Sequence, residues 1–61
     1  MESIREILMR RDNMSVQDAE NLIAEAREQF YEYLDSGDQN SAYNICQEYF
    51  GLEPDYIDEL L

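Results

Sequence analysis

The sequence contains no histidine, no lysine and no tryptophan, and it has a single cysteine among its 61 residues. Without histidine there is no imidazole base, no histidine-ligated metal and no histidine switch near neutral pH. One cysteine, Cys46, excludes both an intrachain disulfide and a cysteine-based zinc site. Because nothing near Cys46 in the sequence would lower the pKa of its thiol, we interpret it as a small buried hydrophobic residue.

Positive charge is also scarce. Four arginines stand against fifteen aspartates and glutamates, so the net charge is -11. A protein this acidic is not expected to bind nucleic acid or an anionic membrane by charge attraction. No segment approaches the length of a membrane-spanning helix, and the first residues lack the basic-then-apolar order of a secretory signal. Together with the unpaired cysteine, these features predict a cytoplasmic protein.

The hydrophobic content is ordinary for a folded protein, at 44% of the residues. A domain of this size buries only about 60% of the surface that its unfolded chain exposes. With disulfides and zinc excluded, association with another chain is the common remaining way to stabilise so small a core. We therefore expect one small helical domain over residues 1–61, and we expect it to form a homodimer.

Apolar residues recur at steps of three and four, and no stretch alternates with the period of a strand. This pattern predicts an all-α fold, a compact bundle of three main helices followed by a short C-terminal helix. The predicted ranges are about 2–12, 16–36, 39–50 and 54–60.

Helix start and stop signals support these boundaries. Ser15 and Asp38 are suited to accept hydrogen bonds at the starts of the second and third helices. Gly37 and Gly51 are helix-terminating glycines, and Pro54 suits the first position of the last helix.

The longest predicted helix has a continuous apolar stripe, and the final turn is also expected to be buried. The stripe comprises Val16, Ala19, Leu22, Ile23, Ala26, Phe30, Tyr33 and Leu34. The final turn comprises Tyr56, Ile57, Leu60 and Leu61.

Glu6 precedes Arg10 by four residues, which predicts a surface ion pair on the first helix.

The charges are distributed unevenly along the chain. All four arginines lie in residues 1–27, together with six acidic residues, which leaves that part with a charge of -2. Residues 28–61 contain nine acidic residues and no cation, a charge of -9. This asymmetry is the most informative feature of the sequence.

On the second helix the acidic residues follow one another at helical spacing, which places a carboxylate roughly every 4.5–6 Å along the axis. Phosphates of a nucleic-acid strand are spaced on the same scale. Two interpretations remain open: a solvated outer face that maintains solubility, and a face that mimics a ligand and binds a protein. The candidate partner-binding residues are Glu25, Glu28, Glu32, Asp35 and Tyr31.

The sequence motifs give little support for catalysis or metal binding. The segment from Asp35 to Asn40 suggests a calcium loop, but its third position is Gly37 and its twelfth is Cys46 instead of the required glutamate. There is no phosphate-binding glycine loop and no serine-nucleophile motif. We expect no enzymatic activity, no cofactor and no metal site.

Three stretches resemble a group of known proteins: RRDNMSVQDAENLI, the Gly37-Asp38 break with Ala42 four residues later, and the closing GLEPDYIDELL. The chain from Met14 onward is similar to short acidic helical proteins of unassigned function carried by bacteria, phages and prophages. The resemblance implies no catalytic residue. It implies a context in which compact acidic phage proteins bind and block host defence or nucleic-acid-processing proteins, in the host cytoplasm if the chain is phage-encoded.

These observations lead to two functional hypotheses. The first is a small acidic protein-binding module of the phage-inhibitor type, which docks on a basic, nucleic-acid- or nucleotide-handling surface of a host protein. The alternative is a structural or accessory homo-oligomeric protein with no inhibitory target.

Overall fold

The computed structural model describes residues 2–61, and every regular element in that range is helical. The molecule measures 34 × 20 × 16 Å. Its long axis corresponds to the second helix, since twenty residues at 1.5 Å each span roughly 30 Å. The all-α prediction is confirmed. The helices are α1 (Ile4–Arg11), α2 (Val16–Asp35), α3 (Gln39–Tyr43), α4 (Ile45–Phe50) and a 3-10 helix (Pro54–Glu59).

The prediction of three main helices is wrong, because the third is broken into α3 and α4. The break is at Asn44, whose φ of -92° and ψ of 4° lie outside the helical region. Its side-chain amide donates a hydrogen bond to the Asn40 carbonyl at 3.1 Å. The Asn44 backbone N–H donates to the same carbonyl at 3.2 Å, so the Asn40 carbonyl accepts both bonds where α3 ends. Asparagine side chains that bond the nearby backbone are typical of helix ends and turns.

The core forms where α2 packs against α1, α3 and α4, with the 3-10 helix packed on α4. Alanines on α2 allow the neighbouring helices to approach closely, and Phe30 fills the space further along the helix. No polar or charged side chain in residues 2–61 is buried. The buried residues are Ile4, Ile7, Leu8, Ala19, Ala26, Phe30, Ala42, Ile45, Cys46, Phe50 and Leu60.

Three residues that the sequence analysis assigned to buried faces are instead exposed. Val16 has 48% of its surface exposed, Leu34 40% and Leu61 69%. The first two lie at opposite ends of the apolar stripe of α2. Because α1, α3 and α4 are all much shorter than α2, they cover only part of that stripe.

The predicted capping residues act as expected. The Ser15 hydroxyl accepts a hydrogen bond from the Asp18 N–H at 3.1 Å, and the Asp38 carboxylate accepts one from the Ser41 N–H at 3.2 Å. Gly37 ends α2 with a φ of 80°, and the Asp38 N–H then donates back to the Tyr33 carbonyl at 2.8 Å. A side chain at Gly37 would be strained by this left-handed conformation.

Glu59 connects the end of the chain to both long helices. Its carboxylate accepts a hydrogen bond from the Ile4 N–H at 2.9 Å, at the free N-terminus of α1. Its carbonyl accepts a hydrogen bond from the Arg27 guanidinium of α2 at 3.3 Å. A negative charge at a helix N-terminus is favourable, because unpaired backbone N–H groups point toward it. The 3-10 helix is thereby fixed against α1 and α2.

Arginines of α1 make different contacts from those that the sequence suggested. Arg10 forms a bidentate pair with Glu2, at 2.6 and 2.7 Å, so the predicted pairing with Glu6 is wrong. Arg11 donates to the Phe50 carbonyl at the C-terminal end of α4. That end carries partial negative charge, so the contact both neutralises it and joins α1 to α4.

Replacing Glu59 with alanine should lower the free energy of unfolding by about 1 kcal/mol, the usual cost of losing a helix cap. Urea denaturation followed by circular dichroism measures the change. Asp58→Ala removes the same charge from the neighbouring exposed position and should change stability by less than about 0.5 kcal/mol. Equal effects of the two substitutions would contradict the proposed role of Glu59.

Candidate functional site

All four arginines are engaged in contacts within the molecule. Arg5 pairs with Glu20 at 3.3 Å, and Arg11 with Asp12 at 2.8 Å. Arg10 pairs with Glu2, and Arg27 donates a hydrogen bond to the Glu59 carbonyl. The basic groups thus lie on α1 and near the middle of α2, and each makes a contact there.

An acidic depression lies on the other flank of α2. Its volume is about 290 Å³. Three of the predicted site residues, Glu25, Glu28 and Glu32, line it and are exposed. Gln29 of α2 and Tyr49 of α4 complete the lining. We call these five residues the acidic flank.

The other two predicted site residues do not line the depression. Asp35 is the last residue of α2 and is exposed. Tyr31 is 46% exposed, and its ring packs edge-on against Phe30 with centroids 5.5 Å apart. On an ideal helix Tyr31 lies about 120° around the axis from Glu25, on a different side of α2. The predicted set therefore divides between two surfaces.

Gln29 and Tyr49 were missed by the sequence analysis. Gln29 follows Glu25 by four residues and precedes Glu32 by three, so helical spacing alone could have identified it. Tyr49 is different, because it reaches the acidic flank only through the packing of α4 on α2. Tyr49 is partly buried against the core.

Tyr33 lies near the acidic groups Glu48, Asp38 and Glu32. Partial burial raises the pKa of the Tyr33 hydroxyl above its ordinary value, and the carboxylate of Glu48 and nearby acidic and tyrosine groups raise it further. Among the described residues, no arginine lies within 4.0 Å of Glu25, Glu28 or Glu32. The flank therefore presents uncompensated negative charge to solvent.

The acidic flank is suited to binding cations that belong to another molecule. It is small, open and polar, unlike the mostly apolar pockets that enclose small ligands. Exposed carboxylates bind arginine and lysine side chains by charge-assisted hydrogen bonds, and a tyrosine offers an aromatic face to the same groups. No group of three or more acidic or cysteine side chains in residues 2–61 is arranged to hold a metal ion.

Cys46 is fully buried. Burial raises the pKa of its thiol, and the charge of Glu59 raises it further. A raised pKa keeps the sulfur protonated, which is the opposite of what a nucleophile requires. The interpretation of Cys46 as a core residue is confirmed.

A second, larger cleft opens on the side of α2 that faces α1. Its volume is about 470 Å³. Unlike the acidic flank, it combines both signs of charge with an apolar side chain. Its lining residues are Ser3, Arg5, Glu20, Ile23, Arg27 and Glu59.

No helix within residues 2–61 is long and apolar enough to cross a membrane. No family model, curated protein or solved structure matches the chain.

Glu28→Gln should raise the free energy of unfolding by a few tenths of a kcal/mol for each relieved pair, because Glu28 has like charges three residues before it and four residues after it. Thermal denaturation in low salt measures the change. Glu6→Gln is the matched control, since Glu6 lies in the first turn of α1, where negative charge is favourable. The control should be neutral or destabilising, and a stabilising control would mean that the effect is only one of net charge.

Proposed function

We propose that the protein is an acidic protein-binding module whose acidic flank docks on a basic surface of a partner protein. The supporting observation is the juxtaposition of Glu25, Glu28 and Glu32 with Tyr49 on a flank where no arginine of the described chain neutralises them. A face maintained only for solubility normally mixes charges of both signs. Here the like charges lie within one helical turn of each other, at a cost to helix stability.

The charge distribution suggests how binding would proceed. Residues 28–61 carry a charge of -9, and their field would attract a positively charged surface and accelerate encounter. Long-range attraction sets the association rate, whereas close contacts set how long the complex lasts. Tyr49 is the aromatic contact within the flank, and partial burial against the core keeps it rigid.

We further propose that the partner surface handles nucleic acid or nucleotides and that binding inhibits it, as in phage proteins that block host defence. Two considerations support this. The carboxylates repeat along α2 at roughly 4.5–6 Å, on the scale of phosphate spacing. The resemblance to short acidic phage and bacterial proteins provides the biological context. Binding rather than catalysis fits a surface of exposed carboxylates in a chain whose single cysteine is buried and has a raised thiol pKa.

A structural or accessory homo-oligomer is the second candidate function. The observation that favours it is the partly exposed apolar side of α2, which includes Val16, Tyr31 and Leu34. In that case self-association would be the whole function, and the acidic flank would only maintain solubility.

The double substitution Glu28→Lys and Glu32→Lys should abolish partner binding, because it converts the acidic flank from attraction to repulsion. The matched control is Asp55→Lys with Asp58→Lys, which changes the net charge equally at exposed positions of the 3-10 helix. Tagged wild-type and variant proteins would be used to capture partners from a lysate of the host cell, with washes at low and moderate salt. Mass spectrometry would identify the captured proteins.

The proposal predicts one dominant basic partner that the control retains, the flank variant loses and moderate salt weakens. Retention by the flank variant with unchanged helicity would show that the acidic flank is not the binding site. Recovery of the protein alone would favour the homo-oligomeric function instead.

A further inference from the structure

One side of α2 differs from the rest of the surface because it carries both signs of charge between exposed apolar residues. We call it the mixed edge; it comprises Val16, Glu20, Ile23, Ala24, Arg27 and Tyr31. We propose that two copies of the chain pair along this edge, with their α2 helices antiparallel, so that Arg27 of each copy faces Glu20 of the other.

The mixed edge is open along its length. Val16 is 48% exposed and Tyr31 46%, and Glu20, Ala24 and Arg27 are exposed as well. Ile23 is partly buried and lines the open cleft of about 470 Å³. A second helix lying on the edge would cover that cleft and remove these apolar side chains from water.

The order of residues along the edge is self-complementary. Consider a two-fold axis perpendicular to α2 that passes between Ile23 and Ala24. In the resulting antiparallel pair of helices, three residues of one copy lie at the same height as three residues of the other. The pairs are Val16 with Tyr31, Glu20 with Arg27, and Ile23 with Ala24. In one register an apolar residue meets an aromatic one, a carboxylate meets a guanidinium, and a large side chain meets a small one. Each pair occurs twice, because a two-fold interface uses the same patch on both copies.

The charged groups at the edge have hydrogen-bonding capacity left for a second copy. Arg27 uses one N–H for the Glu59 carbonyl, and a guanidinium has five. Glu20 uses Oε1 for Arg5, which leaves its other carboxylate oxygen free to accept. Arg5 would lie next to the new ion pair and add to the positive side of it.

Electrostatics favours this face over others for a second copy. Each chain carries a net charge of -11, so most approaches bring like charges together. Two of the four arginines, Arg5 and Arg27, line the cleft at the mixed edge. Here opposite charges can meet, whereas pairing along the acidic flank would oppose two sets of carboxylates.

This inference is independent of the proposed function. The centre of the mixed edge lies about 120° around α2 from the acidic flank, so a dimer would leave both acidic flanks accessible. A partner with two basic patches could then be bound at two points, which strengthens binding without new contacts.

The test is a charge exchange across the proposed pair, measured by sedimentation equilibrium near physiological ionic strength over a wide concentration range. The wild-type protein should reach twice the chain mass of 7.3 kDa as the concentration rises. Glu20→Arg and Arg27→Glu should each raise the dimer dissociation constant at least about tenfold, since each substitution places like charges opposite one another twice per dimer.

The two variants provide their own rescue. Mixing Glu20→Arg protein with Arg27→Glu protein should restore dimers. The first chain has arginine at both positions and the second has glutamate at both, so each facing pair again joins opposite charges. The double variant should also dimerise. Circular dichroism checks that each variant retains wild-type helicity. Asp55→Arg makes the same charge change as Glu20→Arg at an exposed position of the 3-10 helix, and it should leave the dimer intact.

Three results would overturn the inference. The wild-type protein could remain at the monomer mass at the highest concentration, the single variants could dimerise like the wild type, or the mixture could fail to recover dimers while both variants stay helical. Each outcome concerns the mixed edge alone, so the failure of this inference is distinguishable from loss of partner binding at the acidic flank.

Discussion

The imbalance of four arginines against fifteen carboxylates constrains the arrangement of the whole molecule. Two of the arginines join elements that are far apart in the sequence. Arg11 joins the end of α1 to the C-terminal carbonyl of α4, and Arg27 fixes the end of the 3-10 helix to α2. These contacts hold together elements that are too short to be stable alone. The consequence is that no basic group remains for the acidic flank.

Because arginines are few, the surface of α2 has two sides of different charge. One side combines arginines with glutamates and apolar residues, and it suits contact between copies of the same chain. The other has carboxylates beside Tyr49, and it suits a basic partner. Because both sides belong to one 20-residue helix, its length positions them without a loop or hinge between them. The same helix also supplies the alanines that allow the other helices to pack closely.

The acidic flank carries a cost in helix stability. Like charges at helical spacing destabilise α2, and a small core provides little reserve against that cost. The N-terminal caps and the Glu59 contact with α1 offset part of it. We expect removal of a charge there to stabilise the free protein.

Helical class, most helix boundaries and the capping residues were determined by the sequence itself, since they depend on contacts within four or five residues. Ser15, Gly37 and Asp38 act through the backbone next to them, and the spacing of Glu25, Glu28 and Glu32 on one face follows from the helical period. The tertiary structure alone decided the rest. It brought Tyr49 to the acidic flank and directed Glu59 to α1. It also left Val16 and Leu34 uncovered. These outcomes depend on where short helices end and pack against a long one, and that is decided by contacts between residues far apart in the chain.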